Sequence, residues 1–182
     1  MKAWKRIPPT RIHKVGHRTL VSKTFLMPNG EQETFDLINE ESFGATAVVA
    51  LTDENKVIVA RQFRPGPELF MDELPGGGLK ENEEPEQGIR REFLEETGYV
   101  LGKVEYLGVA HYDAYTNGKR HCFFATNCQP SELGHSHEPN EYIEINEISI
   151  AQFLKNAQAG LITDPGPILF AYEKLVKIQK EL

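Results

Sequence analysis

GGLKENEEPEQGIRREFLEETGY, Gly77 to Tyr99, is a glycine-rich turn running into a short helix that carries carboxylates along one face. Pro85 suits the first helical position, where a missing N–H costs nothing, and Gly98 suits the left-handed position that closes a helix. Together they predict a helix over Pro85 to Thr97. Within it Glu92, Glu95 and Glu96 fall at i, i+3 and i+4 on neighbouring surface, and Ile89 and Phe93 form an apolar pair. Arg91 reaches Glu95 one turn on, whereas Glu92 and Glu96 have no such partner within the helix. Like charges one turn apart each cost about 0.2–0.5 kcal/mol, and acids near a helix C-terminus oppose its dipole. A solvated acidic face is the ordinary reading of such a helix. A hard divalent cation with oxygen ligands, Mg²⁺ or alternatively Mn²⁺, is the reading that also explains the crowding.

The spacing of the whole segment favours the second reading. Gly77, Glu83, Arg91, Glu92, Glu95, Glu96 and Gly98, with Phe93 and Tyr99, follow the pattern Gly-x5-Glu-x7-Arg-Glu-U-x-Glu-Glu-x-Gly-U, where U is bulky and apolar. Seven specified positions at fixed spacing are far more specific than a lone glycine-rich loop. The segment resembles the Nudix box. The resemblance implies an α/β/α sandwich and metal-dependent hydrolysis of a nucleoside diphosphate linked to another group. In that family the glutamates matching Glu92 and Glu96 bind metal, often joined by the carbonyl before the box glycine, here Gly76. Glycines at 76, 77 and 78 let the backbone turn tightly and approach a ligand without a Cβ in the way, although an ordinary tight turn accounts for each singly. Arg91 and Glu95 are expected to brace the site, with a guanidinium fork fixing the helix against the loop that carries Glu83. Glu83 is then a structural carboxylate or a weaker metal ligand.

Composition agrees with a compact chain and excludes several classes. The 182 residues are 40% hydrophobic, enough for a sizeable core, and no linker-like stretch divides them. A net charge of −7 without a basic cluster argues against binding a nucleic-acid duplex. Cys122 and Cys128 show neither a disulfide framework nor zinc spacing. No apolar run reaches membrane-span length and the start lacks a signal-peptide core, so a cytoplasmic protein without membrane association is expected.

Along the chain, Leu20 to Met27 and Glu33 to Ile38 flank Pro28-Asn29-Gly30 and predict a hairpin. Residues 1–42 are therefore expected to form an N-terminal antiparallel β extension, and 43–182 the hydrolase domain. The first 18 residues, basic and Pro-containing, are uninformative. Ala45 to Leu51 and Lys56 to Phe63 predict a second hairpin, Phe70 to Leu74 an extended piece entering the glycines, and Val104 to Ala110, Arg120 to Thr126 and Tyr142 to Ile148 further strands. Helices are expected over Ser149 to Ala159 and Ile168 to Leu182, with Phe170, Tyr172 and Leu175 of the last as core. This is an α+β arrangement of helices on a mixed sheet.

Val57 to Gly77, VIVARQFRPGPELFMDELPGG, is similar to the approach segment of the ADP-ribose pyrophosphatase branch of the family. The resemblance places Arg64 at a substrate phosphate and Glu73 as a second metal-site or supporting carboxylate; a surface cation is the plain alternative for Arg64. It also puts the general base on a late loop, with Glu141 the first choice and Glu138 the second. His135 and His137 on that loop lack a third ligand and are read as solvated. The branch commonly forms homodimers that exchange N-terminal strands, with Phe25, Phe35 and Leu37 as apolar surface to bury. One departure stands out: where the branch has a Ser-Pro-Gly segment followed by an acid, this chain has Asp113 and Ala114 followed by Gly118. The reading is hydrolysis of an ADP-ribose-like nucleotide sugar. The alternatives are a dinucleoside polyphosphate or nucleoside triphosphate, for which Tyr112 and Tyr115 would stack on a base, and a non-catalytic nucleotide-binding module.

Overall fold

A computed structural model describes residues 1–16, 18–132 and 142–182. The chain separates into two compact units, Met1–Gly44 with His111–Lys119, and Ala45–Ala110 with Arg120–Leu182.

The first unit is built on β1 (Lys5–Val15), β2 (Arg18–Leu26) and β3 (Gln32–Ile38), an antiparallel sheet in that order. The hairpin expected around Asn29-Gly30 is present, closed by Met27 N donating to Glu31 O and by Gly30 in the left-handed region. The strand β1 went unread because Pro8 and Pro9 break a strand-like pattern. The pairing register with β2 shifts there, between Ile7 and Arg11, and the strand continues on either side. Lys23 is buried in this unit, its ammonium held by Glu41 and Asn117. The 111–119 segment joins the edge of β3: Thr116 bridges Ile38 in parallel, and Asn117 N donates to Ile38 O.

The second unit carries β4 (Gly44–Thr52), β5 (Lys56–Arg64), β6 (Leu69–Glu73), β7 (Tyr99–Val100), β8 (Lys103–Ala110), β9 (Lys119–Pro130) and β10 (Glu144–Ser149), with α1 (Pro85–Thr97), α2 (Ile150–Gln158) and α3 (Pro165–Glu181). Its strands form one sheet in the order β10-β5-β4-β9-β7, with β6 added to β5 and β8 to β9. Alternation sorts side chains to two faces. Ala47, Val49, Leu51, Val57 and Val59 pack with Phe153, Ile168, Ala171 and Leu175 of α2 and α3. Val48, Ala50 and Ile58 pack with Ile89 and Phe93 of α1. This is the expected α/β/α sandwich on a mixed sheet, and because both faces are covered β4 reads as a nearly unbroken apolar run. Each fully buried Phe or Ile contributes about 1.5–3 kcal/mol by leaving water. Among the described residues no helix is long and apolar enough to cross a membrane.

Three expectations need correction. Phe170 and Tyr172 are each about half exposed, at 45%, while Leu175 is fully buried. The buried stripe of α3 runs through Ile168, Ala171 and Leu175, the 3–4 spacing of one helical face, and residues 170 and 172 fall off it. α3 also starts earlier than expected, with Pro165 in its first turn, and β9 extends to Pro130 because β7 pairs with its end.

Candidate active site

The site grows from the way the glycine turn is held between β4 and α1. Val48 N donates to Pro75 O and Thr46 N to Gly77 O, so the turn runs alongside β4. Gly76 takes φ +156°, and a Cβ there would collide with the backbone of Thr46 and Ala47. Its own N–H is turned the other way, donating to Glu96 Oε2 at 3.0 Å. Gly77 has no Cβ for a different reason: the Glu92 carboxylate occupies the space a Cβ would fill.

Arg91 organises the acids. Its Nε and Nη2 donate to the two oxygens of Glu83, each at 2.8 Å, the bidentate fork that a planar guanidinium favours. Nη1 donates to Glu92 Oε1 at 2.6 Å and Glu95 Oε2 at 3.0 Å, and Nη2 also reaches Gly78 O at 3.2 Å. Glu92 thus has a partner within the helix after all, its sequence neighbour, because the long Arg91 side chain folds back over it. Glu83 additionally accepts from Lys80 N at 2.9 Å. Gly88 contributes to the same packing: a Cβ on it would strike Leu79 and approach the Glu83 carboxylate. A glycine inside a helix is the signal that could have flagged it.

These contacts set the electrostatics. The guanidinium of Arg91, helped by the Lys80 N–H, pulls the Glu83 carboxyl from 4.5 to about 2, and Glu83 in turn raises the Arg91 pKa. A carboxyl depressed in the folded state stabilises it above the unfolded pKa and loses that contribution as pH falls. Wild type should therefore lose thermal stability between pH 4.5 and about 2 more steeply than Glu83→Gln. Melting curves followed by circular dichroism at stepped pH measure the difference, and parallel slopes would remove Glu83 as the source.

Arg64 and Glu73 form a second ion pair, a fork onto a nearly buried carboxylate. Glu73 raises the Arg64 pKa first, with smaller contributions from Glu96 and Asp164, so Arg64 lies within the field of Glu96 on α1. The structure thus brings together Arg64, Glu73, Gly76, Glu83, Arg91, Glu92, Glu95 and Glu96 within the second unit. Tyr112 and Tyr115 belong to the first unit, where the Tyr112 ring lies tilted against Phe43 with centroids 6.3 Å apart and Tyr115 is exposed. Asp113 beside them accepts from Tyr115 N and Thr116 Oγ1, a local turn that the Ser-Pro-Gly pattern would not make. Glu138 and Glu141, with His135 and His137, lie outside the described residues.

The side chains that meet the glycine turn, Glu92 and Glu96, offer oxygen donors, as a hard divalent cation requires. The missing Cβ at Gly77 lets the Glu92 carboxylate lie against the turn, and the Gly76 N–H holds the Glu96 carboxylate beside it, an arrangement of two carboxylates that fits such an ion. Among the described residues no group of three or more His, Cys, Asp or Glu side chains converges to hold one.

Residues 42–165 match the family model of the NUDIX domain. The chain is similar to ADP-ribose pyrophosphatase of Bacillus subtilis, 32% identical over 140 residues, which span 76% of this chain and 74% of that one. It is 31% identical over 151 residues to GDP-mannose pyrophosphatase of Escherichia coli, again 76% of this chain and 74% of the other. A solved structure described as an ADP compounds hydrolase superposes with a TM-score of 0.79 at 16% identity, covering 100% of this chain and 98% of that chain. At that identity the superposition speaks for the fold alone.

Proposed function

Because the chain belongs to the Nudix family, we propose that it hydrolyses the pyrophosphate bond of an ADP-ribose-like nucleotide sugar, releasing a nucleoside monophosphate and a sugar phosphate. The observation that carries this reading is the seating of the Glu92 and Glu96 carboxylates against the glycine turn, one in the space of a missing Cβ and one on the Gly76 N–H. Nudix hydrolases generally use divalent metal ions. We take the ion to be Mg²⁺, with Mn²⁺ as the alternative, held by Glu92, Glu96 and the Gly76 carbonyl, with Glu83 as a weaker candidate. Such an ion neutralises phosphate charge and lowers the pKa of bound water.

The protein's own groups do the rest. Arg91 and Glu95 brace the acidic face of α1, and Arg64, oriented by Glu73, meets a substrate phosphate. Glu141, or failing it Glu138, takes the proton of the attacking water. Glu141→Gln should lower turnover at least about a hundredfold, the low end of general-base contributions, with little change in metal affinity, and Glu138→Gln should do less. Rates and Mg²⁺ titrations of the two variants give the order; a larger loss in Glu138→Gln reverses the assignment.

The reading includes a cytoplasmic homodimer that exchanges N-terminal strands. It is supported by the Trp4, Phe25 and Phe35 cluster, which leaves Trp4 47% exposed. Sedimentation of the full chain at micromolar concentration should give a dimer, and a monomer with full activity would defeat this part. The substrate is tested by a panel of nucleotide sugars, dinucleoside polyphosphates and nucleoside triphosphates, with product phosphates measured. Nucleotide sugars should turn over fastest. Preference for Ap4A-type compounds, with Tyr112 and Tyr115 stacking on a base, would move the substrate class, and nucleotide binding without turnover would mark a non-catalytic module.

A further inference from the structure

The opposite face of the same sheet holds a cavity of about 400 Å³ that the hydrolytic reading does not use. Sheet alternation separates the two places: Arg64 and Glu73 point to the α1 side, whereas Arg61 and Asp72 lie on the side of α2 and α3 with Val57 and Val59. We propose that this cavity is a binding site for a neutral, polyhydroxylated ligand of monosaccharide size.

The polar groups that line it fix the chemistry. Asp72 is nearly buried, at 5% exposure, and its Oδ2 accepts from Asn156 Nδ2 at 2.7 Å. Asn156 Oδ1 in turn accepts from Gln152 Nε2 at 2.6 Å. The chain of donors therefore runs from Gln152 through Asn156 to Asp72 and fixes which way each amide points. It leaves Asp72 Oδ1 and Gln152 Oε1 as acceptors on the cavity. Arg61 supplies donors, but its Nη1 stands 3.7 Å from Asp72 Oδ1, too far for a hydrogen bond. An oxygen about 2.8 Å from both would close that gap, accepting from the guanidinium and donating to the carboxylate. A hydroxyl does both at once.

Charge narrows the class. Glu144, paired across the strands with Arg61, adds a second carboxylate to the wall. Two carboxylates beside one guanidinium leave the wall net negative and oppose a phosphate or other anion, while Arg61, beside Asp72, leaves a single carboxylate uncompensated for a cation. A neutral ligand with alternating donors and acceptors can use all three groups. Phe70 at 64% and Leu161 at 40% exposure give the cavity an apolar side for the C–H face of a sugar ring.

Amide spectra of the full-length protein during titration with D-ribose, D-mannose and D-glucose, each to tens of millimolar, test the site, with inorganic phosphate and methylammonium as charged probes. At least one sugar should give saturable shifts at residues of β10 and α2, and the charged probes should give none. Gln152→Ala should weaken that sugar about threefold to tenfold, the value of one or so hydrogen bonds, and Asp72→Asn should weaken it further. Should Asp72→Asn fail to fold, Gln152→Ala decides alone. Absence of saturable shifts with every sugar, shifts confined to the glycine turn and α1, tighter binding of phosphate, or undiminished binding in Gln152→Ala would each overturn the proposal.

Discussion

Glu96→Gln is expected to lower turnover by at least about a hundredfold while leaving the fold intact. Glutamine keeps the shape of the side chain and retains an oxygen that can accept from Gly76 N. The turn should therefore stay where β4 and α1 hold it. What is lost is the charge. A carboxylate facing developing phosphate chemistry contributes at least about 2.7 kcal/mol, the value found for a single electrostatic contact in the transition state. Glu96 also helps to raise the Arg64 pKa, so removing its charge loosens the field around a proposed phosphate contact as well. Steady-state rates at saturating Mg²⁺, with the melting temperature as the control, separate these effects. Turnover near wild type would remove Glu96 from the metal set, and a large drop in melting temperature would mean that the Gly76 bond was misjudged.

What could be read in the sequence follows from how local its physical causes are. The helix over Pro85 to Thr97 was legible to the residue because both of its ends are set by neighbours in sequence, Pro85 at the start and a left-handed Gly98 at the end. The hairpins were legible for the same reason. Phe170 and Tyr172 were misjudged because three large apolar residues were counted without asking which share a face with Ile168 and Ala171. β1 was missed because prolines mask a strand that tolerates them at a register shift. In the site, the spacing of α1 gave the row of acids but not what meets them. That Gly77 yields its Cβ space to Glu92, or that Gly76 donates to Glu96, depends on a turn pinned by Thr46 and Val48 some thirty residues earlier. The Asp72–Asn156 bond spans 84 residues and leaves no trace in periodicity.

Arg91 offers the sharpest separation of charge from geometry, because one guanidinium makes five hydrogen bonds, two to Glu83 and one each to Glu92, Glu95 and the Gly78 carbonyl. Arg91→Lys keeps the positive charge but replaces a planar fork by a point with three donors, so it can satisfy Glu83 or Glu92 and not all of them. It should cost about 1.5–3 kcal/mol, the net worth of one hydrogen bond to a charged group. Arg91→Met removes the charge too and leaves three carboxylates around an apolar chain. Breaking a buried pair costs about 3–5 kcal/mol, and since the Arg91 side chain is 20% exposed the low end, about 3 kcal/mol, is expected. Urea unfolding at constant m-value measures both, and at a temperature where each variant remains folded the turnover should fall in the same order, because Glu92 loses its anchor opposite Gly77. Equal stabilities of the Lys and Met variants would show that the fork, and not the charge, holds the turn. An Arg91→Met protein within about 0.5 kcal/mol of wild type, the scale of an ordinary surface substitution, would show that Arg91 does not organise the site.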